Sequence, residues 1–448
     1  MTSAAYIVLA AGMGTRMKSS VPKVLHKIAG SSMLAHVLST VQQVEPEHVV
    51  VVVGPDMDPV SQEALNTVPT AKIVVQENRL GTADAVRAAL PALKGFEGPV
   101  LVLFGDTPLI RPNTLEDMRN QITEGADLAV LGFEAADPAG YGRLIQDASG
   151  TLTAIREEAD ASPEERKVIL CNSGVMSFGA TSLNRLIAQI DNKNSQQEFY
   201  LTDSVELASA ANLKLVVALC GEDEVMGINT RAQLADAEAI TQNRLREAAM
   251  ANGATLVAPE TTFLSADTRL GRDVIVEPHV VFGPGVVVED GAHIFSFSHM
   301  DHSIIRQNAL IGPYARLRPG ADIGVGSKVG NFVEVKKAVL EEGSKVNHLT
   351  YIGDARVGVK ANVGAGTITC NYDGSAKHHT DIGAGAFIGS NSSLVAPVSI
   401  GAGAYIGSGS VITKDVQPDA LAVSRPKQVE IENWGSRKLD GTRKKSDQ

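Results

Sequence analysis

Three groups of residues in this sequence have types and spacings that can do chemistry. The first is Leu9 to Lys23, LAAGMGTRMKSSVPK, which follows the apolar run Tyr6 to Leu9. Gly12 and Gly14 open a loop that continues into Thr15, Arg16 and, further on, Lys23. Glycines let backbone N–H groups approach an anion and the cations neutralise it, so this is chemistry for phosphate. GMGTRM lacks the third glycine of a dinucleotide fingerprint, and no G-K-[ST] closes a Walker A loop. A plain tight turn is the alternative for the loop taken alone. The second group centres on Asp106, which follows Val-Leu-Val-Leu-Phe104 after Gly105. A carboxylate there can hold Mg²⁺ while the loop holds phosphates. The alternative is a helix cap or an Asx turn before Thr107-Pro108. The third is His348, in Asn347-His-Leu-Thr-Tyr351, with Arg316, Arg318, Glu334, Lys336 and Lys337 upstream. Histidine can serve as a general base at neutral pH. A corner histidine donating to a backbone carbonyl is the alternative.

The elements that must position the first two groups alternate. Tyr6–Leu9, His48–Val53, Lys72–Val75 and Val100–Phe104 read as strands. Met33–Val44, with Leu34, Val37, Leu38 and Val41 apolar, and the alanine-rich Thr82–Leu93 read as helices. This β-α-β-α order, from residue 6 to about 229, predicts a mostly parallel sheet with helices on both faces. Ligands of such sheets sit beyond the carboxyl ends of the strands. The opening loop, Gln76 with Gly81-Thr82, and Gly105-Asp106 all fall there. Further on, Gly140-Tyr-Gly-Arg143 reads as a turn. Leu152–Glu157 and Val168–Cys171 read as an antiparallel extension, and Asn172-Ser-Gly174 offers hydrogen bonds suited to sugar hydroxyls. A helix is predicted over Ser204–Ala211 with Asp203 as its cap, and a long helix over Thr230–Ala251.

From residue 270 the period becomes six. Leu270, Val276, Phe282, Val288 and Ile294 begin the series, and Ile382, Ile388, Leu394, Ile400, Ile406 and Ile412 end it. This is the hexapeptide repeat of a β-helix, with the aliphatic residue pointing inward. Steps of eleven, five and five follow Ile294, Val335 and Ile352, and a step of nineteen separates Val363 from Ile382. That last step carries Cys370-Asn-Tyr-Asp-Gly374 and predicts an inserted loop that reaches a neighbouring subunit.

The bulk numbers set limits. A chain of 448 residues predicts two or three domains. A net charge of −11 argues against general nucleic-acid binding. Three widely spaced cysteines, Cys171, Cys220 and Cys370, predict a reduced, cytoplasmic setting without a disulfide framework. The N-terminal run is broken by Gly12 and lacks the basic start of a signal peptide, and no apolar run is long enough to span a membrane.

Leu9-Ala-Ala-Gly12, Gly14-Thr-Arg16 and Pro22-Lys23 resemble the signature of the sugar-1-phosphate nucleotidyltransferases. With the repeat half included, the chain resembles the bacterial bifunctional N-acetylglucosamine-1-phosphate uridylyltransferases / glucosamine-1-phosphate acetyltransferases. The resemblance implies an α/β fold: a Rossmann-like nucleotidyltransferase domain with a mostly parallel sheet, then a left-handed parallel β-helix of hexapeptide repeats. It implies residues 1–229 as the nucleotidyltransferase, 230–251 as a linker helix, 252–425 as the acetyltransferase and 426–448 as a tail. Trp434 would pack on a neighbouring chain, and Lys438 to Gln448 would be disordered. The implied reactions are acetyl transfer from acetyl-CoA to glucosamine 1-phosphate, then uridylyl transfer from UTP to N-acetylglucosamine 1-phosphate with release of pyrophosphate.

By the same resemblance, Leu9, Ala10, Ala11, Gly12, Gln76, Gly81 and Thr82 would hold the uridine, with Phe104, Gly105 and Lys23 beside it. Gly142, Glu157, Asn172 and Asn229 would hold the sugar. Asp106 and Asn229 would bind Mg²⁺, and Arg16 and Lys23 would stabilise charge on the α-phosphate. His348 would be the general base of acetyl transfer, with Glu334 assisting in charge balance. Arg318 and Lys336 would bind the sugar phosphate, and Tyr351, Asn362 and Asn371 the sugar. Ala365, Asn371, Tyr372, Ser390, Ser408 and Arg425 would line the acetyl-CoA site. Met13, Phe104 and Ser408 depart from the family pattern, Phe104 by losing a tyrosine hydroxyl. The partners implied are these small molecules and, in a homotrimer, two further copies of the chain. The alternatives are a single-activity nucleotidyltransferase whose β-helix only assembles or regulates it, and a carbohydrate-binding scaffold. His348, Arg318, Lys336 and the inserted loop oppose the first. Asp106, Arg16 and Lys23 oppose the second.

Overall fold

The computed structural model describes residues 3–439. It divides into two compact units, Met1–Leu245 and Arg246–Gln448.

The first unit is built on one sheet. Its strands and helices follow the alternating apolar pattern: β1 (Ala5–Leu9), α1 (Met33–Gln43), β2 (His48–Val53), α2 (Asp58–Thr67), β3 (Lys72–Val75), α3 (Thr82–Ala89) and β4 (Pro99–Phe104). Then come α4 (Pro112–Thr123), β5 (Leu128–Glu134), β6 (Arg143–Gln146), β7 (Leu152–Arg156), β8 (Leu170–Gly179), α5 (Ala180–Ile187), α6 (Asp203–Ala210), β9 (Leu215–Leu219) and α7 (Arg231–Ala251). Strand order is β9-β5-β8-β4-β1-β2-β3. All neighbours are parallel except β8, which runs antiparallel to both β4 and β5. The β6–β7 hairpin hangs from β8 through Cys171 and Arg143. β1 is buried along its whole length, and β2 buries five successive valines. Each such valine contributes about 1.5 kcal/mol or more, so two faces of packed helices hold the strand ends rigid.

Several boundaries differ from the sequence reading for local reasons. The predicted helix over Thr82–Leu93 stops at Ala89 and tightens into a 3₁₀ turn, Leu90–Leu93, because Pro91 cannot continue an α-helix. The strand expected over Val168–Cys171 runs from Leu170 to Gly179, kinked between Asn172 and Met176. Asp203 is not the cap of its helix: Thr202 precedes the first helical residue, which is Asp203 itself. The start of α7 packs into the first unit, where Ala237 joins Ile28, Met33, Leu109 and Ile228 in an apolar cluster.

The second unit is a column of short parallel strands, as the six-residue period demands. One stack runs from Thr255–Leu256 to Leu421–Ala422, and each strand pairs with its equivalent one coil later. The inward aliphatics are buried from Val276 to Ile412. A second inward position, two residues earlier, is filled by a small residue such as Ala292, Ala309, Ala315 or Ala361. The sequence reading missed it because alanine and serine carry no periodic hydrophobic signal. Two of the apparent phase breaks are filled. Met300 continues the period after Ile294, and the buried Thr369 continues it after Val363. The true insertion is therefore Asn371 to His378, a small hairpin bridged between Tyr372 and Lys377. The tail bears a short helix, Trp434–Leu439; residues 440–448 of the segment expected to be disordered lie outside the described residues.

Candidate functional site

The opening loop leaves the carboxyl end of β1 and turns through Gly14. Gly14 has φ +63°, and a Cβ there would lie 2.4 Å from Lys23 Cβ. Glycine is required because Lys23 crosses so closely. That crossing brings the Lys23 ammonium to the Asp106 carboxylate, with which it pairs, and to Asn229 Oδ1 at 2.9 Å. Arg16 Nη2 donates to the same Asn229 oxygen at 2.8 Å. The Ile228 N–H donates to the Asp106 carbonyl at 3.0 Å, which locks the two loops together. Residues far apart in the chain thus converge on one point, as the sequence reading expected. The cap alternative for Asp106 fails: the next helix begins at Pro112, and the carboxylate is taken by Lys23.

Beside this cluster lies a cavity of about 240 Å³. Leu9, Ala10, Ala11, Gly12, Lys23, Gln76, Gly81, Thr82, Phe104 and Asp106 all border it. Val24, Ala85, Arg79 and Glu198 do as well, the last two through polar side chains. Arg79 donates Nε to the Ala11 carbonyl at 2.7 Å and so braces the loop. Glu198 closes another side. Neither was singled out from the sequence for this site, since both approach it only after the chain has turned. Gly105 is not among the lining residues; its N–H bonds the Leu9 carbonyl at 2.9 Å. The Phe104 ring lies against Gly174, where a Cβ would stand 2.7 Å from it.

On the other side of Phe104, β8 and the β6–β7 hairpin place Gly142, Glu157 and Asn172 together. The Asn172 N–H bonds the Gly142 carbonyl at 2.8 Å, and a Cβ on Gly142 would touch the Glu157 carboxylate at 3.4 Å. Burial raises the Glu157 carboxyl pKa, while a 3.1 Å hydrogen bond from Thr202 opposes the shift. Arg143 is structural: its buried guanidinium donates to the Tyr141 and Val168 carbonyls and pairs with Glu158.

A larger cavity, about 640 Å³, adjoins Glu157 and is rimmed by Asp160, Asp191, Asp203 and Glu206. Burial first, and then Glu206, Asp191 and Glu157, push Asp203 up to about 6. An acid whose pKa is raised on folding weakens the folded state as pH rises from the unfolded value, near 4, through 6. After allowance for solvent screening, Asp203→Asn should stabilise the protein by about 1 kcal/mol at pH 7.5. The gain should vanish near pH 4, which thermal unfolding at both pH values will read.

In the second unit, successive coils bring the other predicted residues into register. Asn331 pairs with His348 across neighbouring coils, and His348 Nδ1 lies 2.7 Å from Asn331 Oδ1. That oxygen accepts, so Nδ1 carries the hydrogen, and in the neutral ring Nε2 is the lone-pair nitrogen. The ring is exposed, and its partner is a side chain, not the backbone carbonyl of the alternative reading. The same corner continues coil by coil. Gly366 N–H bonds the His348 carbonyl, Asn391 N–H that of Ala365, Gly409 N–H that of Ser390, and Arg425 Nη1 that of Ser408. His348, Ala365, Ser390, Ser408 and Arg425 therefore form one column.

Arg318 Nη1 donates to Glu334 Oε1 at 2.7 Å. Lys336 follows in the next coil, and its ammonium pKa is lowered by the Lys377 amine and by Arg318. Lys377, on the inserted hairpin, was not selected from the sequence as a site residue; its neighbours come from a different coil. Tyr351 follows Glu334 in the strand register. Asn371 is buried and donates Nδ2 to Asp354. Tyr372 is exposed, with its hydroxyl on the Gly374 carbonyl at 2.6 Å. Asn362 lies on the strand stack of His348 rather than that of Tyr351, paired with Lys345 and Phe387.

A phosphate-type loop with an acid and an amide at the ends of a mostly parallel sheet, followed by a hexapeptide β-helix, defines a nucleotidyltransferase joined to a second transferase. Comparison with known proteins agrees. Residues 6–195 match the MobA-like NTP transferase domain, and residues 379–414 match the bacterial transferase hexapeptide family, as six repeats. The chain is 60% identical over 430 residues to the bifunctional protein GlmU of Azorhizobium caulinodans, covering 96% of each chain. It is 56% identical over 435 residues to GlmU of Paramagnetospirillum magneticum, covering 97% of this chain and 96% of that one. It is 51% identical over 441 residues to GlmU of Paracoccus denitrificans, covering 98% of each. The chain belongs to the family of bifunctional GlmU proteins.

Proposed function

We propose that the two chemistries are divided between the Asp106 cluster and the His348 column. The chain is a bifunctional transferase: it acetylates glucosamine 1-phosphate from acetyl-CoA, then transfers uridylyl from UTP to N-acetylglucosamine 1-phosphate, releasing pyrophosphate. The observation that carries the uridylyl assignment is the meeting of Arg16, Lys23, Asp106 and Asn229 at the mouth of the loop cavity. Leu9 to Gly12, Gln76, Gly81 and Thr82 hold the nucleoside. Gly142, Glu157 and Asn172 hold the sugar. Arg16 and Lys23 meet the charge that develops as the sugar phosphate attacks the α-phosphorus. Phosphoryl-type transfer depends on such positioning and neutralisation more than on a covalent partner.

Asp106 and Asn229 suit Mg²⁺. They offer two oxygens that already share one cationic partner, the Lys23 ammonium, and hard oxygen donors are what this ion selects. Among the described residues no three His, Cys, Asp or Glu cluster together, and phosphates and water would supply the remaining ligands of an ion held by Asp106 and Asn229. Bound there, the ion would neutralise the phosphates.

In the acetyl-transfer half, His348 Nε2 takes a proton from the amine of glucosamine 1-phosphate as the amine attacks the thioester carbonyl; the C–S bond then breaks, and the CoA thiolate leaves and takes up the proton. Arg318, Lys336 and Lys377 bind the sugar phosphate, with Tyr351, Asn362 and Asn371 on the sugar. Ala365, Ser390, Ser408 and Arg425 follow the coenzyme along the column, and Tyr372 of the inserted hairpin also contacts it. The protein works in the cytoplasm as a homotrimer, with the hairpin and Trp434 facing neighbouring copies. Its units act as residues 1–229 and 252–425, with 230–251 as linker and 426–448 as tail. No described helix is long and apolar enough to cross a membrane.

Assaying each half-reaction with its own substrates tests the division, and loss of either activity from the purified chain refutes it. Lys377→Ala should raise KM for glucosamine 1-phosphate by about tenfold with a smaller effect on kcat, as expected for one charge-assisted contact to phosphate. Initial rates of CoA release will check it.

A further inference from the structure

Gln76 follows β3, is buried, and borders the nucleoside cavity. Its Nε2 donates to the Gly81 carbonyl at 3.1 Å and to Asp84 Oδ2 at 2.9 Å. Both partners can only accept. Turning the amide over would set Oε1 against two oxygens, so the orientation is fixed by chemistry. Oε1 is the atom left for a ligand.

Asp84 is itself held in place. Its Oδ1 stands 3.7 Å from Arg87 Nη1, one helical turn along α3. Arg87 lies over the Phe199 ring, 4.9 Å from its centre, and donates Nη2 to the Ile187 carbonyl at 3.2 Å. The Phe199 backbone grips the start of α3, accepting from Ala83 N–H at 2.9 Å and donating to the Leu80 carbonyl at 2.8 Å. A relay of four side chains thus ends on the Gln76 amide.

We propose that Asp84 is a specificity-determining positioning residue: by engaging Gln76 Nε2 it presents Gln76 Oε1 as an acceptor to the base, and so selects uracil over cytosine. This rests on the proposal that the cavity takes the nucleoside of UTP. Ring N3 of uracil carries a hydrogen, whereas N3 of cytosine is a bare acceptor. An acceptor fixed at Oε1 bonds the first and repels the second. The discrimination is strong because the wrong base leaves a buried acceptor unpaired. Without the Asp84 carboxylate, one of the two anchors of Nε2 is gone, and the amide can turn to meet cytosine.

The test uses the full chain and measures KM for UTP and the inhibition constant of CTP against UTP, with pyrophosphate release as the signal. Wild type, Asp84→Ala, Asp84→Asn and Gln76→Ala are compared. Asp84→Ala should lower the ratio of the CTP inhibition constant to the UTP KM by about tenfold. It should leave CoA release in the acetyl half-reaction unchanged. Asp84→Asn, which can still accept through Oδ1, should retain more of the ratio. If Asp84→Ala keeps the ratio within about twofold of wild type while Gln76→Ala lowers it, the role of Asp84 is overturned and the cavity reading stands. Equal weakening of both nucleotides in Asp84→Ala also overturns it, since general damage moves both alike. If Gln76→Ala leaves both constants unchanged, the cavity reading falls, and this inference with it.

Discussion

Replacing His348 by alanine should abolish acetyl transfer while uridylyl transfer continues at the wild-type rate. The expected loss is about 10²- to 10⁴-fold in kcat, the usual contribution of a positioned general base. Two observations support so large an effect. The hydrogen bond to Asn331 Oδ1 at 2.7 Å takes Nδ1 and leaves Nε2 as the only ring atom able to accept a proton. The ring also sits at one end of the column formed with Ala365, Ser390 and Ser408, where a thioester carried along that column would end. Stability should change little, because the ring is exposed and fills no part of the inward stack. CoA release from acetyl-CoA and glucosamine 1-phosphate is the readout, and pyrophosphate release from UTP is the control. A variant that acetylates normally would show that the base lies elsewhere.

Asp106→Ala should be the most damaging single change in the other half, lowering uridylyl transfer by more than about 100-fold. The proposed ion would lose its one charged protein ligand. The Lys23 ammonium would lose its anionic partner too, though both side chains are largely buried. An unpaired ammonium would then compete for the nucleotide phosphates and settle away from its working place. Asp106→Asn separates these effects. It keeps the shape and one acceptor but removes the charge, so the Mg²⁺ concentration needed for half-maximal rate should rise steeply. Acetyl transfer should be untouched in both variants. Pyrophosphate release followed over a Mg²⁺ titration gives the answer, and an unaltered titration in Asp106→Asn would sink the metal assignment.

Much of the site was legible in the sequence, and some was not. The opening loop was readable because its glycines and cations lie within fifteen residues and follow a buried strand. Asp106 was readable because it follows, after Gly105, a run of five apolar residues. Asp84 and Lys377 carry no such mark. Asp84 looks like any acid in the first turn of a helix, and Lys377 like any loop lysine, until the neighbouring residues are placed. Asp203 read as a helix cap and is instead the first helical residue, facing an acidic cavity. Caps depend on a backbone turn of one residue, which local composition cannot resolve.

The sequence alone determined the period of each half, because burial on one face imposes its spacing directly on residue type: alternation of strand and helix up to residue 229, then an aliphatic residue every six. Hence the two architectures, and the loops that had to lie at strand ends, followed from pattern. Tertiary structure decided which residues meet. Lys23 reaches Asp106 and Asn229 across 83 and 206 positions of chain, and Asn331 reaches His348 across 17, one coil of the β-helix. Such contacts depend on strand order and register, where a shift of one residue turns a side chain to the opposite face, and neither quantity is written in local composition.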